Sequence, residues 1–229
     1  QATTTSKTRE GVMSGACNGV LFVSNFLSGA GLNRGYSEEL TDRLEARGWQ
    51  ITRTSSHRGR TSRMVDMLRT AWVNRRRYDV AHVDVFSGPS FLWAESVCFE
   101  LRRLGKPLIL TLRGGNLPDF ARRWPRRVRR LFAAAELVTV PSSYLGDQMR
   151  AYRADLALCR NAIDSHAYGF RERRTLEPHL VWVRAFHAVY NPVLAVQVLH
   201  KLTARFPKAR LSMLGPDKDG SLGLVDQAA

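Results

Sequence analysis

The stretch Lys106-Pro107-Leu108-Ile109-Leu110-Thr111-Leu112-Arg113-Gly114-Gly115-Asn116-Leu117-Pro118 decides the fold of this chain. Residues 108–112 are almost wholly apolar and lie between a proline and a charged, glycine-rich turn. Such a run is typical of a strand that is buried on both faces of a parallel sheet. Ligands of open α/β sheets bind at the carboxyl ends of the strands, so Arg113 and the turn after it are candidate site residues. A plain turn with a solvated arginine is the alternative.

The same alternation of short apolar runs and helical spacing continues on both sides of this stretch. Further strands are predicted over 20–24, 49–54, 78–85, 137–140, 156–159, 180–183 and 210–214. Helices are predicted from residue 36, over 62–75, over 91–104, from 125, over 142–152 and over 192–205. Strands and helices that alternate at these lengths predict parallel sheets with right-handed crossovers, so the expected fold class is α/β.

Breaks in this pattern divide the chain into four parts. Residues 1–18 are rich in Thr, Ser and Gly and predict a flexible leader, whereas 19–164 carry six strands of a first domain. Residues 165–178 are polar without periodicity and predict a linker. The pattern restarts at 179, and 179–229 supply one βαβ unit of a second domain. Because the chain begins with Gln and stops after that unit, we expect it to be a piece of a longer protein.

The composition bounds the possible partners and locations. The 229 residues carry a net charge of +15 with 44% hydrophobic residues, which predicts a globular protein with an anionic partner: nucleic acid, a phosphorylated substrate or an anionic membrane surface. The three cysteines have no CxxC spacing, so neither a zinc site nor a disulfide framework is indicated. No apolar run reaches the roughly 18 residues of a membrane span, and no signal peptide is seen. We expect a cytoplasmic protein, with the inner membrane face as a peripheral location.

The loop after the first strand is rich in glycine and leads directly into a helix. Its candidate residues for binding a donor phosphate are Gly29, Gly31, Arg34 and Gly35. The glycines do not match the GxGxxG pattern, so the phosphate signal is weak. Small residues that let strand and helix pack closely are an equal alternative.

Two polar residues, His82 and Asp84, lie on the same side of the strand predicted over 78–85, near its carboxyl end. There they would be able to contact an acceptor hydroxyl. The alternative for His82 is a hydrogen-bonded histidine of the core, which is the more common role of a histidine between apolar neighbours.

Arginines are concentrated just after the central stretch. Between residues 101 and 131 the chain has ten Lys or Arg and one acid, Asp119. If Pro125 starts a helix, Val128, Leu131 and Phe132 share one face and arginines fill the rest. Such a basic amphipathic helix suits an anionic bilayer, and a solvated helix packed on the sheet is the alternative.

Taken in order, these motifs resemble the retaining glycosyltransferases of family 4, whose GT-B fold consists of two Rossmann-like domains facing a cleft. The resemblance extends from Val20 to Leu222. It rests on the glycine-rich first loop and on the segments Asp79-Val80-Ala81-His82-Val83, Leu110-Thr111-Leu112-Arg113-Gly114-Gly115, Val140-Pro141-Ser142-Ser143-Tyr144-Leu145, Asn161-Ala162-Ile163-Asp164, Val183-Arg184, Tyr190-Asn191-Pro192 and Gly215-Pro216-Asp217-Lys218.

The resemblance implies transfer of a sugar from a nucleotide-diphosphate donor to an acceptor hydroxyl with retention, without a metal or another cofactor. Arg184 matches the family's arginine that contacts donor phosphates, whereas Tyr190-Asn191 stand near the place of its lysine. Arg113, the expected catalytic residue, stands where many members carry a histidine that touches the donor sugar; arginine is always charged and binds carboxylate or phosphate with two donors. The other expected donor-side residues are Gly29, Gly31, Arg34, Gly35, Gly215, Asp217 and Lys218. The expected acceptor-side residues are His82, Asp84, Gly114, Gly115, Asn116 and Asn161.

The resemblance also gives expectations about the acceptor and the activity. The expected acceptor is a glycan or a lipid-linked molecule of the cell envelope. The acid-rich donor motif of the family lies beyond Ala229, so we expect this chain alone to be inactive.

Two rival functions remain open. A sugar-nucleotide epimerase of the same fold would need a proton-transferring base in the cleft. A basic nucleic-acid-binding module would explain the charge, but no helix-turn-helix, zinc-finger or RNP signature is present, so no nucleic-acid partner is expected.

Overall fold

The chain divides into two compact units, Gln1–Ile163 and Asp164–Ala229. A computed structural model describes residues 19–30, 34–163, 166, 168–172 and 177–229. The predicted leader, Gly31 and part of the predicted linker lie outside the described residues.

A six-stranded sheet forms the centre of the first unit, and all its strand pairs are parallel. Its strands are β1 (Gly19–Val23), β2 (Gln50–Thr54), β3 (Val80–Val85), β4 (Leu108–Leu112), β5 (Leu137–Val140) and β6 (Leu156–Leu158). Its helices are α1 (Tyr36–Glu45), α2 (Arg60–Val73), α3 (Pro89–Arg103), α4 (Leu117–Arg123), α5 (Pro125–Ala133) and α6 (Ser143–Met149). The strand order is β2-β1-β3-β4-β5-β6, which confirms the predicted α/β class.

Hydrophobic residues cover both faces of this sheet. In β1, Leu21 and Val23 belong to the main core, whereas Val20 and Phe22 belong to a smaller cluster. Successive side chains of a strand point to opposite faces, so the two clusters lie on the two sides of the sheet. The central stretch behaves as its sequence predicts, because β4 pairs with β3 and β5 and its leucines are fully buried.

The arginine-rich segment differs from its prediction. The structure adds a separate short helix, α4, and the chain turns at Trp124 (φ −129°, ψ 54°) before α5 begins at Pro125. Pro125 starts a helix as predicted, since its fixed φ suits the first helical position and its missing N–H costs nothing there. The predicted strand over 78–85 begins at Val80, and the predicted helix over 142–152 ends at Met149.

A second, smaller α/β arrangement forms the second unit. Its elements are β7 (His179–Val183), α7 (Pro192–Thr203), β8 (Arg210–Leu214) and α8 (Ser221–Ala228). The two strands are parallel, and one sheet face packs on the helices through a cluster around Phe186, Val196 and Val225. Val181 and Val183, on the other face, are exposed. In neither unit does a described helix have the length and apolar character needed to cross a membrane.

Candidate functional site

A cavity of about 390 Å³ opens at the carboxyl ends of β1 and β3. These strands flank the point where the strand order of the sheet reverses, since β1 has β2 on one side and β3 on the other. Ligands of open α/β sheets bind in the crevice at such a switch point. The polar residues that line this switch-point cavity are Ser24, Asn25, Ser37, Asp84, Arg113 and Asn161.

Asp84, at the end of β3, is the buried acid of the switch-point cavity. Its Oδ2 accepts hydrogen bonds from the hydroxyls of Ser24 (2.5 Å) and Ser37, and its Oδ1 accepts one from Arg113 Nε (3.1 Å). The Asp84 side chain is only 3% exposed. A buried carboxylate is costly unless it is paired and hydrogen-bonded, and here both conditions are met.

Arg113 lies between this carboxylate and the rest of the cavity. Its guanidinium carbon is 4.6 Å from the centre of the Tyr36 ring, and its Nη1 donates to Asn161 Oδ1 (2.8 Å). The side chain is only 11% exposed, so it is held in place and does not project freely from the strand end. Its Nη2 is buried and has no hydrogen-bond partner among the described residues.

His82 is a buried histidine that is hydrogen-bonded to the core and does not line the cavity. Its Nε2 lies 2.6 Å from Thr111 Oγ1, and that hydroxyl lies 2.7 Å from Thr139 Oγ1. Burial lowers the pKa of His82 to about 4; the nearby Asp84 opposes this shift, and Arg113 adds to it. The imidazole is therefore neutral at neutral pH, and this arrangement matches the core alternative.

Glu38 occupies the backbone donors of the glycine-rich first loop. Its carboxylate accepts hydrogen bonds from the N–H groups of Ser28 (3.0 Å) and Gly35 (2.8 Å). Burial raises the pKa of Glu38, but these N–H bonds outweigh it and hold the pKa below its usual value. Arg34 is paired with Asp42.

The loop therefore already holds a carboxylate where a phosphate cradle was expected. Of the predicted donor residues in the loop, Gly29 has open space around its Cα, and Gly31 lies outside the described residues. Gly35 donates its N–H to Glu38, and a Cβ at Gly29 or Gly35 would meet no atom closer than 4.0 Å, so close packing of strand and helix does not require these two glycines.

The turn of residues 114–116 follows β4 at the same sheet edge as the switch-point cavity, but it does not line that cavity. Gly114 adopts φ +93°, which confirms the expected positive φ of the turn, and Gly115 follows it. Asn116 lines a groove of about 750 Å³ together with Arg123 and Trp124. The structure therefore does not bring Asn116 into the switch-point cavity.

The predicted donor residues of the second unit lie near one another at the ends of β7 and β8. The Arg184 guanidinium carbon lies 4.2 Å from the centre of the Tyr190 ring, so Tyr190 stacks on this arginine near the place of the family's lysine. Gly215 packs against the Arg184 backbone. The Asp217 carboxylate accepts from the Gly220 N–H (3.0 Å), and the Lys218 N–H donates to the Phe186 carbonyl (2.9 Å).

The basic segment is not a free amphipathic helix. The apolar face of α5, formed by Val128, Leu131 and Phe132, is buried in the core of the first unit. Arg127 is paired with Glu95. The arrangement matches the alternative of a helix packed on the sheet, and contact with an anionic membrane through the arginines stays a prediction. Arginines on the outer side remain exposed: Arg122, Arg123, Arg126, Arg129 and Arg130.

Comparison with known proteins supports the fold. No protein-family model matches the chain, and no curated protein matches its sequence. Among solved structures, an α-glucosyltransferase in complex with UDP-glucose and abasic DNA matches with a TM-score of 0.55 and 10% identity, over 91% of this chain and 59% of its own. An α-glucosyltransferase with UDP and mismatched DNA matches with a TM-score of 0.55 and 9% identity, over 91% and 58%. A glycosyltransferase from Rickettsia africae gives a TM-score of 0.48 at 12% identity, over 90% and 70%.

The fold is Rossmann-like α/β, of the GT-B type. The chain spans somewhat less than three fifths of the length of the two α-glucosyltransferases, and the low identities extend the likeness to the fold alone.

Several residues at the switch-point cavity carry no signal in the sequence. Ser24, Tyr36 and Ser37 are ordinary residues of a strand end and a helix start, yet all three contact Asp84 or Arg113. A distant residue, Arg63, reaches the site only through Asn25. Among the described residues, no three His, Cys, Asp or Glu side chains are grouped closely enough to hold a metal ion.

Proposed function

We propose that this chain is a glycosyltransferase that moves a sugar from a nucleotide-diphosphate sugar to an acceptor hydroxyl with retention at the anomeric carbon. One observation carries the proposal: within a GT-B fold, the switch-point cavity holds a fixed, charged Arg113 beside a fully hydrogen-bonded Asp84. The sequence resemblance to family 4 and the α-glucosyltransferase neighbours support the same activity.

In this proposal each unit supplies an arginine with a separate role in the reaction. Arg113 stabilises negative charge that develops at the transferred sugar or the acceptor, and its rigid contacts to Asp84 and Tyr36 hold it in place beforehand. Asp84 acts as a positioning residue, since its oxygens are already occupied. Arg184 and the loop from Gly215 to Lys218 bind the donor diphosphate, and the chemistry uses no metal and no cofactor.

The acceptor that we propose is a glycan or a lipid-linked molecule of the cell envelope, used at the cytoplasmic side. A second candidate acceptor is DNA, because the two α-glucosyltransferase structures contain DNA and this chain carries a net charge of +15. The rival epimerase activity needs a base in the cavity; Arg113 cannot serve as one, and Asp84 is hydrogen-bonded by three donors.

Nucleotide release from a panel of nucleotide sugars tests the proposed activity. Because the chain alone is expected to be inactive, it is also extended by the acid-rich donor motif of a family 4 enzyme, and both forms are incubated with UDP-glucose and other nucleotide sugars, with and without glycan, lipid-linked and duplex DNA acceptors. In the extended form we expect nucleotide release that requires an acceptor and falls at least tenfold in Arg113→Lys, which keeps the charge but loses the fork. Formation of an epimeric nucleotide sugar instead, or no turnover of any donor by the extended form, would overturn the proposal.

We also propose that the exposed arginines of α4 and α5 contact an anionic membrane by charge alone. Each basic residue near such a surface contributes about 1 kcal/mol, and salt screens the effect. Replacing Arg126 and Arg129 with Gln should therefore weaken sedimentation with anionic vesicles. The control pair is Arg75 and Arg76, at the carboxyl end of α2. Equal binding to neutral vesicles would contradict the membrane contact.

A further inference from the structure

The asparagine at the end of β1 has a defined orientation. Asn25 lines the switch-point cavity, and its Oδ1 accepts a hydrogen bond from Arg63 Nη1 (2.9 Å). An arginine side chain can only donate, so the amide oxygen of Asn25 must be the atom that faces Arg63. The amide NH₂ group of Asn25 therefore faces away from Arg63 and remains a donor.

Arg63 is itself rigid. It is only 8% exposed, its Nε donates to the His57 carbonyl (2.9 Å), and its guanidinium carbon lies 5.3 Å from the centre of the Trp93 ring. These contacts fix the guanidinium without using Asn25. Arg63 thus acts on the cavity only by setting the direction in which the Asn25 amide points.

The same arrangement is repeated at Asn161, another residue that lines the cavity. The Oδ1 of Asn161 accepts from Arg113 Nη1, so its NH₂ group is also left as a donor. Within the described part of the chain, neither amide nitrogen has a hydrogen-bond partner, and Arg113 Nη2 is buried without one. The one acid that lines the cavity, Asp84, already accepts from Ser24, Ser37 and Arg113.

The cavity is therefore rich in donors and poor in free acceptors. A bound group that offers only acceptors satisfies such a cavity, and carboxylates and phosphates are the groups that do so. A neutral sugar hydroxyl offers fewer acceptor lone pairs than a carboxylate or phosphate and is itself a donor, so it matches these donors less well. The two asparagines and Arg113 together provide these donors.

We propose that the switch-point cavity is an oxyanion subsite that binds the carboxylate or phosphate of an acidic sugar, with Asn25, Asn161 and Arg113 as its donors. Arg63 is the positioning residue that keeps Asn25 in its donor orientation. That this acidic sugar is the acceptor rests on the proposed glycosyltransferase function; the oxyanion subsite itself does not.

An Asn→Asp exchange tests the subsite with almost no change of shape. In Asn25→Asp, a carboxylate still accepts from Arg63, so the fold keeps its contact, but the donor into the cavity becomes an acceptor. The matched control is Asn116→Asp, which makes the same charge change on the same sheet edge outside the cavity. Asn161→Asp provides a second variant in case Asn25→Asp does not fold.

Binding is measured by calorimetry at constant ionic strength with inorganic phosphate, glucuronate, glucose 6-phosphate and glucose. We expect the wild-type chain to bind the anions and not glucose, and the better of glucuronate and glucose 6-phosphate identifies the anionic group. Asn25→Asp and Asn161→Asp should weaken anion binding at least tenfold, with melting temperatures close to the wild type. Asn116→Asp should bind as the wild type does.

Arg63→Lys tests the positioning role separately. Lysine keeps the charge but cannot hold Asn25 and the His57 carbonyl together, so anion binding should weaken several-fold, and Asn25→Asp should remove most of this effect. Equal weakening in Asn116→Asp, or binding of glucose as tight as that of glucose 6-phosphate, would overturn the subsite. Duplex DNA that competes with phosphate more strongly than the acidic sugars do would overturn the acidic-sugar assignment.

The two proposals fail separately. Anion binding without transfer from any nucleotide sugar by the form extended with the donor motif would overturn the proposed function and leave the subsite standing. Sugar transfer without anion binding would overturn the subsite alone.

Discussion

The Asp84 carboxylate is a residue-scale feature on which the whole cavity depends. It is 3% exposed and receives its only cationic partner among the described residues from Arg113. Removing one partner of a buried ion pair leaves an uncompensated charge. From the sequence alone we would expect Arg113→Ala to lower turnover much more than stability, and the structure changes that expectation.

We predict that Arg113→Ala lowers the free energy of unfolding by about 3 kcal/mol, because Asp84 then keeps only two hydroxyl donors. Urea titration measures the loss. In the double variant Arg113→Ala with Asp84→Asn, the buried charge is absent, so the combined loss should be smaller than the sum of the two single losses. Additive losses would mean that the two side chains do not stabilise each other.

The buried His82 side chain should make the stability of the protein depend on pH. Its pKa is about 4 in the folded chain and about 6.5 when unfolded, so the unfolded state binds the proton more readily between these values. Above about pH 6.5, His82 is mostly neutral in both the folded and the unfolded state and has little effect on stability. As the pH falls from 6.5 toward 4, the unfolded state takes up the proton first, and the free energy of unfolding decreases. Between pH 7 and pH 5 the free energy of unfolding should fall by roughly 2 kcal/mol.

Urea titrations at pH 7, 6 and 5 measure this slope, and His82→Asn is the variant for comparison. Asn offers Thr111 a neutral partner and does not titrate, so its slope should be much flatter. The lowered pKa of Glu38 affects stability only below about its unperturbed value of 4.5, outside this window. A wild-type slope that persists in His82→Asn would assign the effect to other groups.

At the scale of elements, the close contact of Gly215 with the Arg184 backbone is the most constrained point of the second unit. Gly215 has φ +156°, and a Cβ at this position would lie 1.6 Å from the Arg184 carbonyl oxygen. Gly215→Ala should therefore destabilise the second unit by about 3 kcal/mol or more. The control, Gly223→Ala in α8, meets nothing within 4 Å and should be neutral or slightly stabilising, because alanine favours helices.

Hydrogen exchange read by mass spectrometry localises this effect. Peptides from 179–229 should lose protection in Gly215→Ala, while peptides from β1 to β6 keep theirs. Unchanged protection in 179–229 would show that the backbone relaxes around the new methyl group.

The elements themselves were largely predictable, because the spacing of apolar residues and the prolines and glycines that flank them are local properties of a sequence. The run 108–112 between Pro107 and Gly114 predicts β4, and the structure confirms it. The start of α5 at Pro125 was predicted, but the short helix α4 before it was missed, since seven residues are too few to show helical spacing. Helix α8 was missed because its spacing covers only two turns.

For the site, the sequence predicted only the edge of the sheet at which it lies. Sequence reasoning brings Asp84, Arg113 and Asn161 to the carboxyl ends of parallel strands, and the structure places all three around one cavity. It had no means of finding Ser37 or Arg63, because a contact between distant segments depends on strand order and helix rotation. It also assigned phosphate binding to the first loop as one of two alternatives. In the structure, the carboxylate of the neighbouring Glu38 already accepts hydrogen bonds from backbone N–H groups of that loop.

At the scale of the whole molecule, the start of the second unit is the expected site of proteolysis. Phe170 is 93% exposed and Tyr168 70% exposed, and neither lies in a strand or a helix. We predict that brief chymotrypsin treatment cuts at these residues before it cuts within the strands and helices of either unit. Mass spectrometry of the first products identifies the cut. The variant with Tyr168→Ser and Phe170→Ser should survive several-fold longer, and first cuts within 34–163 would contradict the prediction.

The position of β1 inside the sheet has a consequence during synthesis. Both of its neighbours come later in the chain, and β3 ends about 60 residues after β1 does. At about 5–20 residues per second, a ribosome needs roughly 3–12 seconds to make that length, and until then β1 has only β2 to pair with. Its four side chains, from Val20 to Val23, are all buried in the finished fold and until then remain accessible to chaperones on the nascent chain.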